Sequence, residues 1–294
     1  MRLPAIALAA SLALSGCAST DRRLVPVTAV PPAVAKTFQW LASGEAAALS
    51  RQAYTSLTIY VAAQRAARAA GRPVDSAVIT AGVSLQAPRW ADCGSKPPAV
   101  ILDMDETAIL NTGANYDTAR RGDPPFDSDR WSVWEEQGAA LVDPVPGAVE
   151  ALAGLRAEGV TPIFISNRQA RFAAQAAEAL SNAGLGRAVP GETLFLREAG
   201  SGSGKDARRA AVAQRFCVLA MVGDQLGDFS DLFNTPDLEP AARRALAELP
   251  GPAARWGRGW FPIPNPLYGT GIAGTLEQVY PDHRWRGPAI KESK

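Results

Sequence analysis

Histidine is nearly absent from this chain, and that absence limits the chemistry that the protein can perform. The only histidine, His283, lies in a polar segment near the end of the 294-residue sequence. Phosphatases with a histidine nucleophile, histidine-rich dinuclear metal sites and Ser-His-Asp triads all need histidines that this sequence lacks. Acid–base catalysis would therefore fall to carboxylates, lysine, tyrosine or cysteine.

The chain also lacks an excess of charge of either sign. It has 30 lysines and arginines against 29 aspartates and glutamates, and it contains no block of basic residues. We therefore expect no nucleic-acid polymer as a partner. The composition, 47% hydrophobic and 20% charged, is typical of a globular protein.

The apolar run at the N-terminus, from Leu3 to Leu14, is too short to span a membrane but fits a signal peptide. It ends in the sequence LSGC at 14–17, which resembles the bacterial lipobox. We expect residues 1–17 to be a lipoprotein signal peptide whose Cys17 carries the lipid; the alternative is an ordinary secretory signal with an incidental cysteine. Several acyl chains would anchor the exported protein stably, and the outer membrane is its expected location.

The segment after the signal, residues 18–35, is rich in proline, valine and threonine, which is typical of a tether. An N-terminal helical region is expected over 36–98, although 72–98 has no clear pattern. A helix from about Ala35 to Ala70 is predicted by apolar residues at a spacing of four, namely Leu49, Ala53, Leu57 and Val61.

From residue 99 onward, short apolar runs alternate with helical stretches. The runs begin at about 99, 160, 193 and 217, and helices are predicted over 147–158, 169–183 and 205–215. This alternation predicts an α/β fold with a parallel sheet. Ligands of such folds bind beyond the carboxyl ends of the strands.

The first of these runs, 99–102, ends in two carboxylates, Asp103 and Asp105. In an extended chain residues i and i+2 point the same way, so both would face one site. Two carboxylates that share a site need a cation or a proton between them, which favours a metal-assisted catalytic centre. The alternative is a strand followed by an acidic turn, since aspartate is common in turns.

Polar residues also follow the later runs: Ser166 with Asn167, Lys205, and Asp224 with Asp228. Their order resembles the four motifs of the haloacid dehalogenase (HAD) superfamily. Within this superfamily, five segments of the chain resemble motifs of the bacterial class C acid phosphatases. They are Asp103-Met-Asp-Glu-Thr107, Pro144-Val-Pro-Gly-Ala148, Ile165-Ser-Asn-Arg168, Gly223-Asp-Gln-Leu-Gly-Asp-Phe229 and Pro264-Asn-Pro-Leu-Tyr268. Those are lipid-anchored enzymes that cleave phosphomonoesters, often 5′-nucleotides.

The likeness covers roughly residues 35–285 and implies a fold. We expect a HAD-like Rossmannoid parallel sheet flanked by helices, with a core over 99–285 and a tail over 286–294. A smaller, mainly helical accessory region would be built from the N-terminal helices and an insert over 108–146.

The resemblance also implies a Mg²⁺-dependent phosphomonoesterase that acts through an aspartyl-phosphate. Asp103 would be the nucleophile, and Asp105 would protonate the leaving group and then activate water. One Mg²⁺ per chain would be held by Asp103, Asp224 and the backbone carbonyl of Asp105, with Asp228 supporting the site from behind. Ser166 would bond the phosphoryl group.

Lys205 would neutralise the same phosphoryl group by the same resemblance, and Thr107 and Asn167 would help to bind the substrate. Taken alone, Lys205 also fits the start of an exposed basic helix face that includes Arg208 and Arg209.

Two aromatic residues, Trp131 and Tyr268, correspond to side chains that flank the substrate's ring in the family. The alternative for Trp131 is a packed helix face shared with Trp134. Two glycine-rich runs carry no nucleotide site: 200–205 lacks the first glycine and the Ser/Thr of a P-loop, and 269–274 lacks a following βαβ unit.

Two cysteines remain besides Cys17. In the sheet that the resemblance implies, Cys93 and Cys217 would lie near the same, non-catalytic edge, and an exported protein permits a disulfide. We expect them to pair; the alternative is two buried free thiols.

Two rival functions remain at this stage. A HAD phosphotransferase that passes phosphate to an alcohol would use the same residues as a hydrolase. A non-catalytic surface lipoprotein would use the fold only to bind a ligand, but the intact Asp103, Asp105, Lys205 and Asp224 argue against it. The expected partners are small phosphomonoesters, nucleoside monophosphates among them.

Overall fold

The computed structural model describes residues 34–282, 285 and 287. The expected signal peptide with Cys17, nearly all of the expected tether, and His283 lie outside the described residues. The lipid anchor therefore stays a prediction. No helix in the described part of the chain combines the length and the apolar content that crossing a membrane requires.

Two helices open the described part of the chain, α1 (Lys36–Leu41) and α2 (Gly44–Ala69). Ser43 separates them and caps α2, because its side chain accepts a hydrogen bond from the backbone N–H of Ala46 at 3.2 Å. The helix predicted from about Ala35 to Ala70 is confirmed from Gly44 to Ala69, but the residues before it form the separate helix α1. Its buried face consists of Ala46, Ser50, Tyr54, Leu57 and Val61.

An antiparallel strand pair follows these helices, made of β1 (Asp75–Ile79) and β2 (Trp90–Asp92). The helical region expected over 36–98 is thus wrong beyond Ala69. The last four residues of β1 are buried, and the indole Nε1 of Trp260 donates to the carbonyl of Ala77 at 2.8 Å. Packing against residues distant in the sequence stabilises this strand pair. The hydrophobic pattern within 72–98 therefore could not reveal the strands.

The later strands form the sheet that the alternating pattern predicts. They are β3 (Pro98–Leu102), β4 (Ile109–Leu110), β5 (Asp143–Pro144), β6 (Thr161–Gln169), β7 (Leu194–Arg197), β8 (Cys217–Gly223) and β9 (Trp260–Pro262). Five of them pair in the order β7-β6-β3-β8-β9, all parallel. All seven residues of β8 are buried, as expected of a parallel strand covered on both faces.

Helices connect and cover these strands. They are α3 (Thr112–Arg120), α4 (Ser128–Gln137), α5 (Ala148–Ala157), α6 (Ala173–Asn182), α7 (Asp206–Arg215), α8 (Pro240–Ala247), α9 (Pro250–Ala253) and α10 (Leu276–Val279). The helices predicted over 147–158 and 205–215 correspond to α5 and α7. The helix predicted over 169–183 begins later, as α6 at Ala173, because β6 continues to Gln169. The insert over 108–146 contains α3, α4 and the small antiparallel pair of β4 with β5.

The register of the sheet brings the ends of β3 and β8 beside the second half of β6. Leu102 of β3 lies opposite Phe164 of β6 and opposite Val222 of β8. The residues that follow β3 and β8 therefore meet the last residues of β6, up to Gln169, at one edge of the sheet. Both the first acidic run and the run at Gly223 reach this edge.

The opposite edge carries a disulfide between Cys93 and Cys217. Cys217 begins β8, and its backbone N–H donates to the carbonyl of Pro97, just before β3, at 2.9 Å. The expected pairing is confirmed, and the two free thiols of the alternative are not found.

Candidate active site

The acidic run after β3 forms a turn, not an extension of the strand. The backbone N–H of Asp103 still donates to the carbonyl of Val222 at 3.0 Å, but a turn follows, in which Ala108 and Ile109 both donate to the carbonyl of Met104. Within it Glu106 has a φ of +52°, a left-handed conformation that is uncommon for a residue other than glycine. We call residues 103–107 the catalytic turn.

Three carboxylates converge at this turn: those of Asp103, Asp224 and Asp228 each place an oxygen within 4.8 Å of the others. The Nζ of Lys205 donates to Oδ1 of Asp103 and, at 2.7 Å, to Oδ1 of Asp228. Lys205, Asp103 and Asp228 are all more than 90% buried. Two buried carboxylates and the partly buried Asp224 surround one buried ammonium, which leaves an excess of negative charge that another cation would offset.

Asp224 and Asp228 are held in different ways. Oδ1 of Asp224 accepts from the Thr107 hydroxyl at 2.9 Å, and its Oδ2 accepts from the Asn265 amide at 2.7 Å. Both oxygens of Asp228 are engaged as well, one by Lys205 and the other by the backbone N–H of Gln225 at 2.9 Å. Asp228 therefore lies in the same cluster as Asp103 and Asp224, as the sequence predicted.

The pKa values at this cluster reflect its crowding. Burial raises the pKa of Asp103 well above its ordinary value; Lys205 lowers it, and the charges of Asp228 and Asp224 raise it further. Burial, followed by the charge of Asp228, raises the pKa of Asp224 to about 7. Burial alone would lower the pKa of Lys205, but Asp103 and Asp228 reverse that effect and raise it. These shifts all favour the protonated form of each group, so the site favours additional positive charge.

Asp105 is held by a second cation, the buried guanidinium of Arg168. Nε of Arg168 lies 2.9 Å from Oδ1 and 3.3 Å from Oδ2 of Asp105, and its Nη2 lies 2.8 Å from Oδ1. The hydroxyl of Ser166 donates to Oδ2 of Asp105 at 3.3 Å, and the amide of Asn111 donates to Oδ1 at 3.1 Å. Ser166, predicted for the phosphoryl group, is thus in reach of Asp105.

The insert contacts this pair from the other side. Oδ1 of Asn111 accepts from Nη2 of Arg168 at 2.8 Å and from the indole Nε1 of Trp134 at 2.9 Å. Beside them, both oxygens of the buried Glu135 accept from Gln169. Arg168, Asn111 and Glu106 had no predicted role. Arg168 closes the Ile165–Arg168 motif, but nothing in that motif indicates that its charge is buried.

Asn167 bridges two neighbouring segments. Its amide donates to the carbonyl of Ser203 at 2.9 Å, and its Oδ1 accepts from Arg208 at 2.6 Å. Lys205 and Arg209 are buried, and Arg209 pairs with Asp206 and Asp231, so the alternative of an exposed basic helix face is wrong. Substrate contact by Asn167 and Thr107 stays a prediction.

The two predicted aromatic residues lie in different settings. Trp131 is partly buried and packs against Phe126, with ring centroids 6.3 Å apart. Trp134 is partly buried too, so the packed helix face remains an alternative for Trp131. The hydroxyl of Tyr268 donates to Glu106 at 2.6 Å, while 39% of the residue stays exposed. Their contact with substrate stays a prediction.

Comparison with known proteins agrees with this geometry. Residues 32–271 match the family described as HAD superfamily, subfamily IIIB (Acid phosphatase). The fold is similar to that of the class C acid phosphatase from Bacillus anthracis, with 23% sequence identity and a TM-score of 0.62 over 80% of this chain and 85% of that chain. The same protein with tungstate bound gives 24% identity and a TM-score of 0.61, with the same coverage.

No curated protein sequence matches the chain. The two structural likenesses support a fold in which a parallel five-stranded sheet is flanked by helices. The family match spans well over half of the chain, from residue 32 to residue 271. The chain therefore belongs to subfamily IIIB of the HAD superfamily, the acid phosphatases, and is a phosphomonoester hydrolase.

Proposed function

We propose that this protein hydrolyses phosphomonoesters with the help of Mg²⁺ and through an aspartyl-phosphate on Asp103. The observation that carries the proposal is the cluster at the carboxyl end of β3 and β8. There Asp103 contacts Lys205 and lies beside Asp224, at the edge where parallel sheets bind their ligands.

The chemistry consists of two displacements. In the first, an oxygen of Asp103 attacks phosphorus, the bond to the leaving oxygen breaks, and Asp105 gives that oxygen a proton. In the second, Asp105 takes a proton from water, the water oxygen attacks phosphorus, and inorganic phosphate leaves Asp103. Lys205 offsets charge on the transferring group throughout, since phosphoryl transfer depends mainly on positioning and charge stabilisation.

The donor set fits a divalent cation that prefers oxygen. Asp103 and Asp224 would supply carboxylate oxygens, and the backbone carbonyl of Asp105 a third ligand, as the resemblance implies. Asp228 would hold the arrangement through Lys205 and Gln225. Bound Mg²⁺ would supply positive charge to the phosphate and to the attacking carboxylate. The excess of negative charge at the cluster supports this assignment.

The proposed substrates are small phosphomonoesters, including nucleoside 5′-monophosphates. Tyr268 supports this proposal, because its ring is partly exposed while its hydroxyl bonds to the catalytic turn. Transfer to alcohols would use the same residues. Phosphate release measured with and without added alcohol separates the two outcomes: a loss of free phosphate balanced by a new ester would indicate transfer.

We also propose that the protein is exported and held at the membrane by lipid on Cys17. The sequence LSGC at 14–17 supports this. Labelling of cells with radioactive palmitate tests it, with a Cys17→Ala variant as comparison. The wild type should carry label and the variant none; equal labelling of both would contradict the proposal.

The test of the activity is phosphate release from p-nitrophenyl phosphate and from nucleoside monophosphates, with Mg²⁺ or EDTA, from acid to neutral pH. We expect EDTA to abolish release. Asp103→Asn should lower kcat at least a thousandfold, because it removes the nucleophile, and Asp105→Asn about a hundredfold or more, because it removes the acid and base.

Asp237→Asn is the matched control, because Asp237 is exposed and its left-handed backbone, with a φ of +60°, is one that asparagine tolerates. It should keep the wild-type rate. Release that persists in Asp103→Asn would refute the aspartyl-phosphate, and release that persists in EDTA would refute the need for the metal.

A further inference from the structure

We infer that Glu106 is a positioning residue that fixes the ring of Tyr268 beside the reacting groups and thereby favours phosphomonoesters whose leaving group carries a ring. The inference rests on the proposed function, and it adds a residue to which neither the sequence nor the family comparison gave a role.

Glu106 is fully buried and accepts four hydrogen bonds. Its Oε1 accepts from the backbone N–H of Asn111 at 2.9 Å and from the amide of Asn115 at 3.1 Å. Its Oε2 accepts from the amide of Asn111 at 2.8 Å and from the hydroxyl of Tyr268 at 2.6 Å. Every donor is neutral, so what this carboxylate supplies is a set of fixed acceptors.

The backbone at Glu106 points to the same conclusion. A φ of +52° costs a residue with a side chain about 1 kcal/mol or more, and it persists only where the surroundings fix the conformation. The four hydrogen bonds of its side chain provide that constraint. Because Asp105 and Thr107 lie on either side of it in the chain, Glu106 also fixes the direction of two residues at the reacting edge.

Glu106 links the catalytic turn to the start of α3, a few residues later, and to the segment after β9 that carries Tyr268, 162 positions away. Asn111 belongs to the second segment, and its amide also contacts Asp105. Loss of the Glu106 acceptors would therefore free Tyr268 without removing any group that reacts.

Tyr268 is attached at two points. Its hydroxyl bonds to Glu106, and its carbonyl accepts at 3.1 Å from the amide of Gln225, which also donates to Asp224. The phenol end of the side chain is thus held inside while 39% of the residue stays open to solvent. A ring held in this way loses little conformational entropy when another ring packs against it.

The test compares two classes of substrate, phenyl phosphate with a ring and glycerol 2-phosphate without one. We expect Tyr268→Phe and Glu106→Gln each to lower the ratio of kcat/KM between phenyl phosphate and glycerol 2-phosphate roughly fivefold, the scale of one aromatic contact. The loss should lie mainly in the KM for phenyl phosphate. The double variant should lower the ratio no further, because both substitutions remove the same anchor.

The ratio does not depend on the fraction of active enzyme, so partial misfolding of Glu106→Gln cannot imitate the effect. Tyr268→Phe, which keeps the ring, carries the test if Glu106→Gln does not fold. Tyr280→Phe is the matched control: Tyr280 is 63% exposed, and its variant should keep the wild-type ratio.

Three results would overturn the inference. Equal losses of kcat/KM for both substrates would mean that Glu106 acts through the catalytic turn or the fold and not through Tyr268. A lowered ratio in Tyr268→Leu with a wild-type ratio in Tyr268→Phe would mean that the ring acts without its anchor. Wild-type protein that releases phosphate from neither substrate with Mg²⁺ would overturn the proposed function as well.

Discussion

Arg168 is the residue that holds Asp105, and its geometry is difficult to replace. Its Nε and Nη2 both contact the carboxylate, and Nη2 also donates to Asn111. The planar guanidinium makes these contacts in one fixed arrangement, whereas the ammonium of lysine is a point charge on a flexible stem. The position of Asp105 should therefore depend on the guanidinium and not on the charge alone.

Arg168→Lys should lower kcat for p-nitrophenyl phosphate about 10-fold to 100-fold, because a displacement of the acid and base by about 1 Å has effects of that size. KM should change less. Arg171→Lys is the control, since Arg171 is exposed and lies just after the same strand. A kcat for Arg168→Lys within twofold of wild type would show that the positive charge suffices.

The raised pKa of Asp224 predicts how the stability of the fold depends on pH when no metal is bound. Its pKa rises from 3.8 to about 7 on folding, chiefly through burial. A carboxyl whose pKa is higher in the folded protein binds its proton more tightly there, so its stabilising contribution is complete below about pH 4 and is lost as the pH rises through about 7. Mg²⁺ should replace the proton and restore the loss.

We therefore expect the melting temperature in EDTA to fall from pH 4.5 to pH 7.5, and the increase on adding Mg²⁺ to grow over the same range. At a hundredfold excess over its dissociation constant, the ion should add about 2.7 kcal/mol. Asp224→Asn should weaken both trends. An increase on adding Mg²⁺ that is as large at pH 4.5 as at pH 7.5 would contradict this assignment.

The residues that could be predicted are those whose sequence position fixes their location. Asp103 and Asp224 directly follow apolar runs, and a parallel sheet brings such positions together. The roles of Arg168, Glu106 and Asn111 could not be predicted in this way. Each depends on a partner across the fold or on a left-handed backbone, and neither leaves a periodic pattern in the chain.

At the scale of elements, α2 supports the catalytic turn directly. The hydroxyl of Tyr54, fully buried on α2, donates to the carbonyl of Thr107 at 2.8 Å. The spacing that predicted this helix included the buried Leu57 and Val61 but also Leu49, which is 47% exposed, so the period located the helix and only part of its buried face. The strand pair of β1 and β2 was not predicted from the sequence, because such short strands depend on the residues that they pack against and carry too few residues for a periodic pattern.

Tyr54→Phe should lower the free energy of unfolding by about 1–2 kcal/mol, since it leaves the buried carbonyl of Thr107 without its donor. The ring remains and fills the same space, so no cavity adds to the loss. Denaturation by urea measures the change. Tyr116→Phe on α3, where the tyrosine is 71% exposed, should have almost no effect. Equal midpoints for Tyr54→Phe and wild type would contradict the role of this hydrogen bond.

At the scale of the whole molecule, the disulfide and the reacting groups occupy opposite ends of β8. Cys217 begins the strand and Asp224 follows its last residue, so the seven residues of β8 separate them by about 20 Å. The disulfide closes a long loop, with a sequence separation of 124 residues. Stability and activity should therefore respond differently when it is removed.

We expect the double variant Cys93→Ala/Cys217→Ala to lose about 4–5 kcal/mol of unfolding free energy, because the unfolded chain regains the entropy that closing so long a loop removes. The wild type treated with a thiol reductant should unfold at a similarly lowered urea concentration. Between these forms kcat/KM for p-nitrophenyl phosphate should stay within about twofold, measured well below the unfolding transition. Mass spectrometry of unreduced peptides should find both cysteines in one linked species. Two separate thiol peptides would contradict the pairing. A parallel loss of activity and stability would show instead that the disulfide end of β8 controls the geometry of Asp224.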